Sequence, residues 1–507
     1  MAMHRRRFLA GTALGLGAAP WLGAQAFADI PAAEAGKAAA VEAGGTALPA
    51  RLLTGGETTI PRVHLQQFAA SLRGRVLVAS DADYDSARRL WNGEFDLRPA
   101  LIARCTGIAD VMRSVDFARE HGLLTAVRAG GHSTAGKSSC NGGIMIDVSP
   151  MQGVRVDPVA RRAYVQAGTL LGQLDHECAA FGLVTTAGTV SHTGAAGLTL
   201  GGGFGRVGRR FGLACDNLLA ADVITAAGKR LRAEESADAE LLWGLRGGSG
   251  NFGIVTQLEY ALHPMDPVIL GGRIAWPFAQ ARDVMRLVAE MHAAAPDELN
   301  IEPILVSPPG APPMIMVEVC WSADRALGEQ RIARLRGFGK PLFDQVRPMR
   351  YVDLQAANDV VNPHGVRHYG KAGFLPELSD STIDAILEVF ASTPPGHVNF
   401  IFQSSGGAIA RVPVTATAFP NRASPWWLML GANWRDAADS ERKLGIARAA
   451  WKRVESLTQG FYVNSIDDRA DAEFRGNFGP NYDRLVALKK RYDPGNQFRL
   501  NANIKPG

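Results

Sequence analysis

Residues 127–136 read Val-Arg-Ala-Gly-Gly-His-Ser-Thr-Ala-Gly, and no other stretch of the chain constrains its fold and chemistry as tightly. Gly130 and Gly131 remove two side chains, so backbone N–H groups can approach an anion closely. Arg128 sets a permanent cation beside them. His132 follows at once, which brings an imidazole within reach of whatever the loop grips. An anion cradle presenting one nucleophilic ring fits a tethered redox cofactor. Taken alone, the decapeptide fits a glycine turn with an exposed histidine equally well.

Outward from this loop, short strands alternate with helices. Leu101 to Arg104 reads as a strand. Gly107 to His121 reads as a helix with Ile108, Met112 and Val115 on one face and Gly122 as its stop. Leu123 to Val127 is the strand that feeds the loop. Ile144, Ile146 and Val148 alternate with Met145 and Asp147 as in a strand with one buried face, Ala163 to Ala167 forms another strand, and Leu170 to Phe181 a helix ended by Gly182. The pattern predicts an α+β domain with glycine loops at its strand ends. Gly188 to Gly212 is too rich in glycine for an ordinary helix or strand and predicts a loop lying flat against a ligand. A third glycine element ends in Gly253-Ile254-Val255. The texture changes around Pro264 to Pro267. From there to residue 455, helical stretches at Gln280 to Ala294 and Ala323 to Gly337 alternate with strands such as Trp426 to Leu430, predicting a second domain built on an antiparallel sheet.

Composition narrows the function classes. The 507 residues are 47% hydrophobic and 20% charged, with a net charge of +5, and no basic stripe is interleaved with aromatics; nucleic acid is not an expected partner. The five cysteines are odd in number and form no CxxC pair, and no HExxH occurs, so neither a dense disulfide framework nor a metal site is expected. His4-Arg5-Arg6-Arg7-Phe8-Leu9, an apolar run to Leu22 and Ala26-Phe27-Ala28 predict a signal peptide of the twin-arginine type over residues 1–28. The run is too short for a stable span. An exported protein, periplasmic or secreted, is expected, with the twin-arginine machinery as a partner in transit. Residues 29–80 read as an extension or linker, mobile over the Ala/Gly-rich part from 30 to 60.

Gly203-Phe204-Gly205-Arg206-Val207-Gly208 matches GxGxxG, but no hydrophobic strand leads into it, and Glu234 and Glu235 lie in a polar stretch. A nicotinamide-dependent dehydrogenase is therefore a poor fit.

The three glycine elements are followed near the C-terminus by Phe461-Tyr462-Val463-Asn464, by Asn481 to Leu485, by Tyr492-Asp493-Pro494-Gly495-Asn496-Gln497-Phe498-Arg499 and by Asn501 to Pro506. In this order they resemble the berberine-bridge-enzyme-like FAD-linked oxidoreductases, which carry the vanillyl-alcohol-oxidase, or PCMH, type of FAD-binding fold. The resemblance runs from about Tyr84 to the end. It implies an α+β architecture with a two-part FAD-binding domain at 81–265, a central substrate domain at 266–455 with an antiparallel sheet covered by helices, and a segment at 456–507 that returns to the FAD domain. It implies FAD bound covalently through His132, with His192 the rival position. The second, cysteinyl link of some relatives would fall near Ala187, so attachment through one residue is expected. Arg128, Gly130, Gly131, Ser133 and Gly136 would hold the diphosphate from one loop. Thr189, Gly194, Gly197, Thr199, Gly202 and Gly203 would hold it from the other. Gly253, Ile254 and Val255 would run along the adenine or ribose, and Asn501 and Asn503 would lie near the isoalloxazine.

The resemblance further implies removal of a hydride from a C–H of an alcohol, amine or hydroxylated ring, with O2 or another acceptor taking the electrons. The catalytic base departs from the family pattern: Ser465 follows Asn464 and Thr134 follows Ser133, where relatives carry tyrosines. Tyr369 is the first candidate, because the nearby Lys371 would lower its pKa, and Tyr462 is the second. The missing tyrosine also motivates an alternative, a flavin-binding electron carrier or sensor without turnover.

Overall fold

The computed structural model describes residues 47–308, 310–465 and 471–507. The signal-peptide reading lies outside them.

The decapeptide leaves the strand Thr125–Arg128, at the edge of a four-stranded sheet. Leu101–Arg104 and Thr125–Arg128 flank Ile144–Asp147 in parallel, and Arg75–Leu77 joins antiparallel on the far side of Leu101–Arg104. Parallel neighbours need a crossover, and the helix Ile108–Glu120 supplies one, burying Val111, Val115 and Ala118. A second, antiparallel sheet has the order Arg230–Glu234, Leu218–Ile224, Ile254–Ala261, Arg162–Gln166, Val154–Asp157. The third is larger and also antiparallel, with Val268–Pro277, Met314–Trp321, Leu299–Val306, Asn399–Ser404, Trp426–Trp434 and Arg367–Leu375 in that order.

Strand alternation gives the third sheet two faces. Trp426, Leu428, Leu430, Ala432 and Trp434 pack under the helices Ala281–Ala293, Arg325–Arg336, Asp380–Ser392 and Ser440–Val454. Asp324 and Ser379 cap two of these helices by accepting from Leu327 and Thr382 N–H. On the other face Trp427, Ala372 and Phe374 join an aromatic block with Phe204, Phe419 and Tyr462. The FAD-type α+β fold with a helix-covered antiparallel sheet, expected from sequence, is the fold observed.

The C-terminal helix Tyr482–Tyr492 and the chain after it pack into the same core as the first two sheets through Leu485, Leu488, Phe498 and Ile504. Lys489 is buried there and donates to Asp493 at 2.7 Å and to the carbonyls of Asn251 and Phe498.

Two expectations are corrected. Residues 47–80 were read as part of a linker. Instead Ala47–Arg51 and Glu57–Pro61 pair as a hairpin, followed by the helix Arg62–Ser71, and Ile60 and Leu65 are buried in the main core. Their apolar residues are too sparse to show a period, and edge contacts to Gly142 and Leu124 fix the hairpin. The glycine-dense stretch likewise contains a short helix, Ala195–Leu200. Packing overrides the low helix propensity of Gly197.

Candidate functional site

A cavity of about 390 Å³ opens where the glycine loops, the C-terminal segment and the inner face of the large sheet meet. Gly130, Gly131, His132, Ser133, Thr189, Gly194, Gly197, Gly253, Ile254, Val255, Tyr462 and Asn501 all line it. Its lining includes no Asp or Glu among the described residues. The two glycine loops touch main chain to main chain: a Cβ on Gly130 would lie 2.4 Å from the Gly194 nitrogen. Beside this contact begins the helix Ala195–Leu200, whose first-turn amides at Ala196 and Gly197 have no intrahelical acceptor and border the cavity. A Cβ on Gly197 would meet nothing within 4 Å, so the cavity reaches bare backbone. Lys137, also on the wall, donates to the Asn501 carbonyl, while the Asn501 side-chain oxygen is buried without a partner. Bare amides, a nearby ammonium and an unpaired acceptor fit a dinucleotide with an anionic middle and a heterocyclic end.

Other expected ligands point elsewhere. Arg128 passes behind the loop and donates to the Ala87 carbonyl under Gly131. Thr199 spends its hydroxyl on Tyr260 at 2.7 Å. Gly136 turns with φ +71° against the Phe95 ring, where a Cβ would sit 2.5 Å away. Gly202, Gly203 and Asn503 are not on the wall; the Gly203 amide donates to the Tyr462 hydroxyl. Side chains leaving a loop take directions set by packing, which sequence spacing does not record.

His132 is the best-supported group of the site. Its Nε2 lies 2.8 Å from Nδ1 of His192, so the two rival positions are partners. The Trp91 indole stacks on the His132 ring at 4.3 Å between centroids and, on its other side, on His368 at 4.0 Å. Burial, then the neighbouring His192, His364 and His368, push the His132 pKa down to about 2. The ring is therefore neutral at ordinary pH, with a lone pair available for nucleophilic attack.

Sequence reasoning missed what holds these rings. Trp91 N–H donates to the Gly131 carbonyl, and its indole N–H donates to the Asn362 carbonyl at 2.9 Å. In the same segment of the large domain, Gln355 donates to the Gly188 carbonyl at 2.8 Å and Asn358 to that of Thr189 at 3.1 Å. Asp359 accepts from the Ser191 N–H at 2.8 Å and from the Ser191 hydroxyl. Residues 355–362 thus strap both histidine loops. The strap is anchored by a buried cluster in which Arg206 donates to Glu318 at 2.7 Å and to Gln355 at 2.8 Å, and Arg273 joins Glu318 to Asn358. Burial alone would raise the Glu318 pKa, but the two guanidiniums hold it below the ordinary range. No local motif marks Trp91, Asn358 or Asp359. Lys137, adjoining the decapeptide, was the one that could have been found.

The two base candidates part company. Tyr369 faces the helix-covered side of the sheet, with the Arg448 guanidinium 5.9 Å from its ring centroid, and does not line the cavity. Its odd position on Arg367–Leu375 decides this, since Ala372 and Phe374 take the cavity-side face. Tyr462 is on the wall, its oxygen accepting from Gly203 N–H at 3.0 Å and from the Asn464 amide at 2.8 Å. Burial pushes its pKa up to about 12, against these two donors.

Comparison with known proteins gives this arrangement a class. Residues 99–234 match the family described as FAD binding domain, and residues 462–505 match berberine and berberine like. An FAD-linked oxidoreductase of Dictyostelium discoideum is 30% identical over 448 residues, covering 87% of this chain and 97% of that one. (R)-6-hydroxynicotine oxidase of Paenarthrobacter nicotinovorans is 30% identical over 456 residues, covering 86% and 97%. The crystal structure of 6-hydroxy-D-nicotine oxidase from Arthrobacter nicotinovorans superposes with a TM-score of 0.80 at 29% identity, covering 86% of this chain and 99% of that one. The chain belongs to the berberine-like FAD-linked oxidoreductases; it is an enzyme that oxidises its substrate with FAD. Among the described residues no helix is long and apolar enough to cross a membrane.

Proposed function

We propose that this enzyme binds FAD covalently through His132 alone, removes a hydride from a C–H of an alcohol, amine or hydroxylated ring, and passes the electrons to O2. The observation that carries the reading is the His132–His192 contact at 2.8 Å on the cavity wall. When His132 Nε2–H donates to His192 Nδ1, the lone pair of His132 remains on Nδ1, free to form the bond. Trp91 keeps the ring plane fixed. None of the five cysteines is on the wall among the described residues, which favours one link.

Bound FAD supplies the two-electron acceptor for the substrate C–H. Gly130, Gly131, Ala196 and Gly197 would hold its diphosphate through their main chain, and Asn501 would hold its heterocyclic end. Tyr462 handles the proton. Its oxygen accepts two N–H bonds, which favour the tyrosinate against the burial that disfavours it; as tyrosinate it takes up the proton that the substrate's O–H or N–H releases as the hydride departs. The arginine pair and the apolar run of residues 1–28 support export of the loaded enzyme by the twin-arginine route.

Acid precipitation tests the reading. The pellet should be yellow and fluorescent, and the peptide spanning His132 should carry the mass of the flavin nucleotide. In His132→Ala the flavin should become extractable. A colourless wild-type pellet from riboflavin-replete cells refutes the covalent link.

A further inference from the structure

We propose that Asn464 and Gly201 act together as positioning residues for Tyr462: the Asn464 side-chain amide sets the hydrogen bond on the Tyr462 oxygen, and the missing side chain of Gly201 makes the room for it. The inference rests on the reading of Tyr462 as the group that takes up the substrate proton.

The first observation is how the amide is committed. Asn464 borders the cavity, and its Nδ2 donates to the Leu198 carbonyl at 2.9 Å and to the Tyr462 oxygen at 2.8 Å, which uses both of its N–H groups. A carbonyl only accepts, so Leu198 fixes which end of the amide is nitrogen. The phenol oxygen therefore always faces a donor. A carboxylate of the same shape would face it with an acceptor and take the Tyr462 O–H instead. The Asn464 main-chain carbonyl accepts from the Thr134 hydroxyl at 3.4 Å, which ties this position to the decapeptide.

The second observation is Gly201. It ends the helix Ala195–Leu200 with φ −96° and ψ 5°, a conformation open to any residue. Gly202 and Gly203, by contrast, have φ of +121° and +85°. Glycine at 201 is thus required by space and not by backbone. A Cβ there would lie 2.0 Å from Asn464 Oδ1, 2.5 Å from its Cγ and 2.7 Å from its Nδ2, so the three nearest atoms beyond its chain neighbours all belong to this one side chain.

The third observation is what surrounds the phenol. Phe204 and Trp427 meet the ring edge-on at 5.4 and 5.1 Å and bring no charge. The ionisable group that acts on it most is the Cys215 thiol, in the turn Ala214–Asn217, which burial keeps protonated. Arg422 lies over Phe419 and is paired with Asp216 at 2.7 Å. The cavity wall adds the neutral His132, and Lys137, which is engaged with the Asn501 carbonyl. Among the described residues no cation donates to the phenol oxygen. Neutral donors, Gly203 N–H at 3.0 Å and the Asn464 amide, are what favours the tyrosinate.

The test needs no turnover. 3,5-Difluorotyrosine, whose phenol is more acidic, is placed at position 462 of the flavin-loaded enzyme, and its fluorine resonance is followed as pH is raised. Flavin content and melting temperature are measured alongside. Asn464→Ala should raise the titration midpoint by about 1 to 2 pH units, the effect of losing one hydrogen bond to a charged group. Asn464→Asp, equal in size, should raise it further, because the carboxylate accepts from the phenol and repels its anion. Gly201→Ala, which leaves Asn464 in the chain but displaces its amide, should also raise it, and should add nothing in an Asn464→Ala background. A wild-type midpoint in Asn464→Ala and Asn464→Asp overturns the proposal. So does a Gly201→Ala shift that is equally large with and without Asn464. Full turnover in Tyr462→Phe would remove the proton role of Tyr462 and leave the titration result standing, so the two failures are distinct.

Discussion

Gly130 and Gly197 both line the cavity proposed to hold the flavin, but the structure gives them opposite sensitivities. In Gly130→Ala the new methyl would stand 2.4 Å from the Gly194 nitrogen and 2.5 Å from its Cα. That is about 1 Å short of ordinary van der Waals contact, and both obstructing atoms are main chain, so no side chain can rotate aside. One loop must move, at a cost of about 1–3 kcal/mol typical of overpacking. In Gly197→Ala nothing lies within 4 Å, and the residue sits in the helix Ala195–Leu200. Alanine there should stabilise flavin-free protein by about 0.5–1 kcal/mol, the usual helical gain over glycine. Its methyl would nevertheless occupy cavity space. The assay has two arms: urea midpoints of protein made under riboflavin limitation, and the ratio of flavin to protein absorbance after riboflavin-replete expression. Gly130→Ala should lower both; Gly197→Ala should raise the midpoint and lower the flavin ratio. A Gly130→Ala protein with a wild-type midpoint, or a Gly197→Ala protein fully loaded with flavin, would refute the close loop contact or the assignment of the cavity.

Tyr462→Phe should keep the ring packing but leave Gly203 N–H without its acceptor and the Asn464 amide with the Leu198 carbonyl alone. The turnover number should drop by about 10² to 10⁴, the range for a lost proton-transfer group, with flavin content near wild type; stopped-flow bleaching of the flavin measures it. His292 accepts from Arg209 at 2.9 Å and lies tilted against Trp426, 4.1 Å between ring centroids; burial and then Arg209 push its pKa down to about 3. The unfolded chain therefore takes up a proton that the folded one refuses, and stability should fall as pH drops through about 6.5 toward 3, by up to about 1.4 kcal/mol per pH unit from this residue. His292→Gln should flatten that slope in urea titrations between pH 7 and 5. Lys489→Met would strand the Asp493 carboxylate in the core. Unfolding free energy should fall by about 3–5 kcal/mol, whereas the double variant Lys489→Met/Asp493→Asn should recover part of the loss in the same assay.

Elements with a strong local period were legible in the sequence. The helices Ile108–Glu120 and Ala281–Ala293 fall within one residue of the predicted stretches at each end. The helix Ala195–Leu200 was hidden because glycine density argues against helix and only the surrounding packing reverses that. The hairpin from Ala47 was hidden because its register depends on edge contacts to residues far along the chain. At the site, the backbone cradle was readable because glycine marks it directly. Side-chain aim was not: Arg128 and Thr199 turn away from the cavity to Ala87 and Tyr260. The sequence puts Tyr369 ahead of Tyr462 because Lys371 is near it, and strand parity reverses that order by placing Tyr369 behind the sheet. Asp359 reaches Ser191 across 168 positions, a distance over which spacing carries no signal.

The strap of residues 355–362 bears on how this enzyme can change its substrate. The segment that ties down Thr189, Ser191 and Trp91 beside the two imidazoles runs on in the chain into the strands Arg367–Leu375, Asn399–Ser404 and Trp426–Trp434 of the large sheet. Grafting a relative's complete sheet onto this cofactor half would therefore also replace the parts that register the two imidazoles. Chimeras should therefore retain residues 351–366 from the cofactor donor.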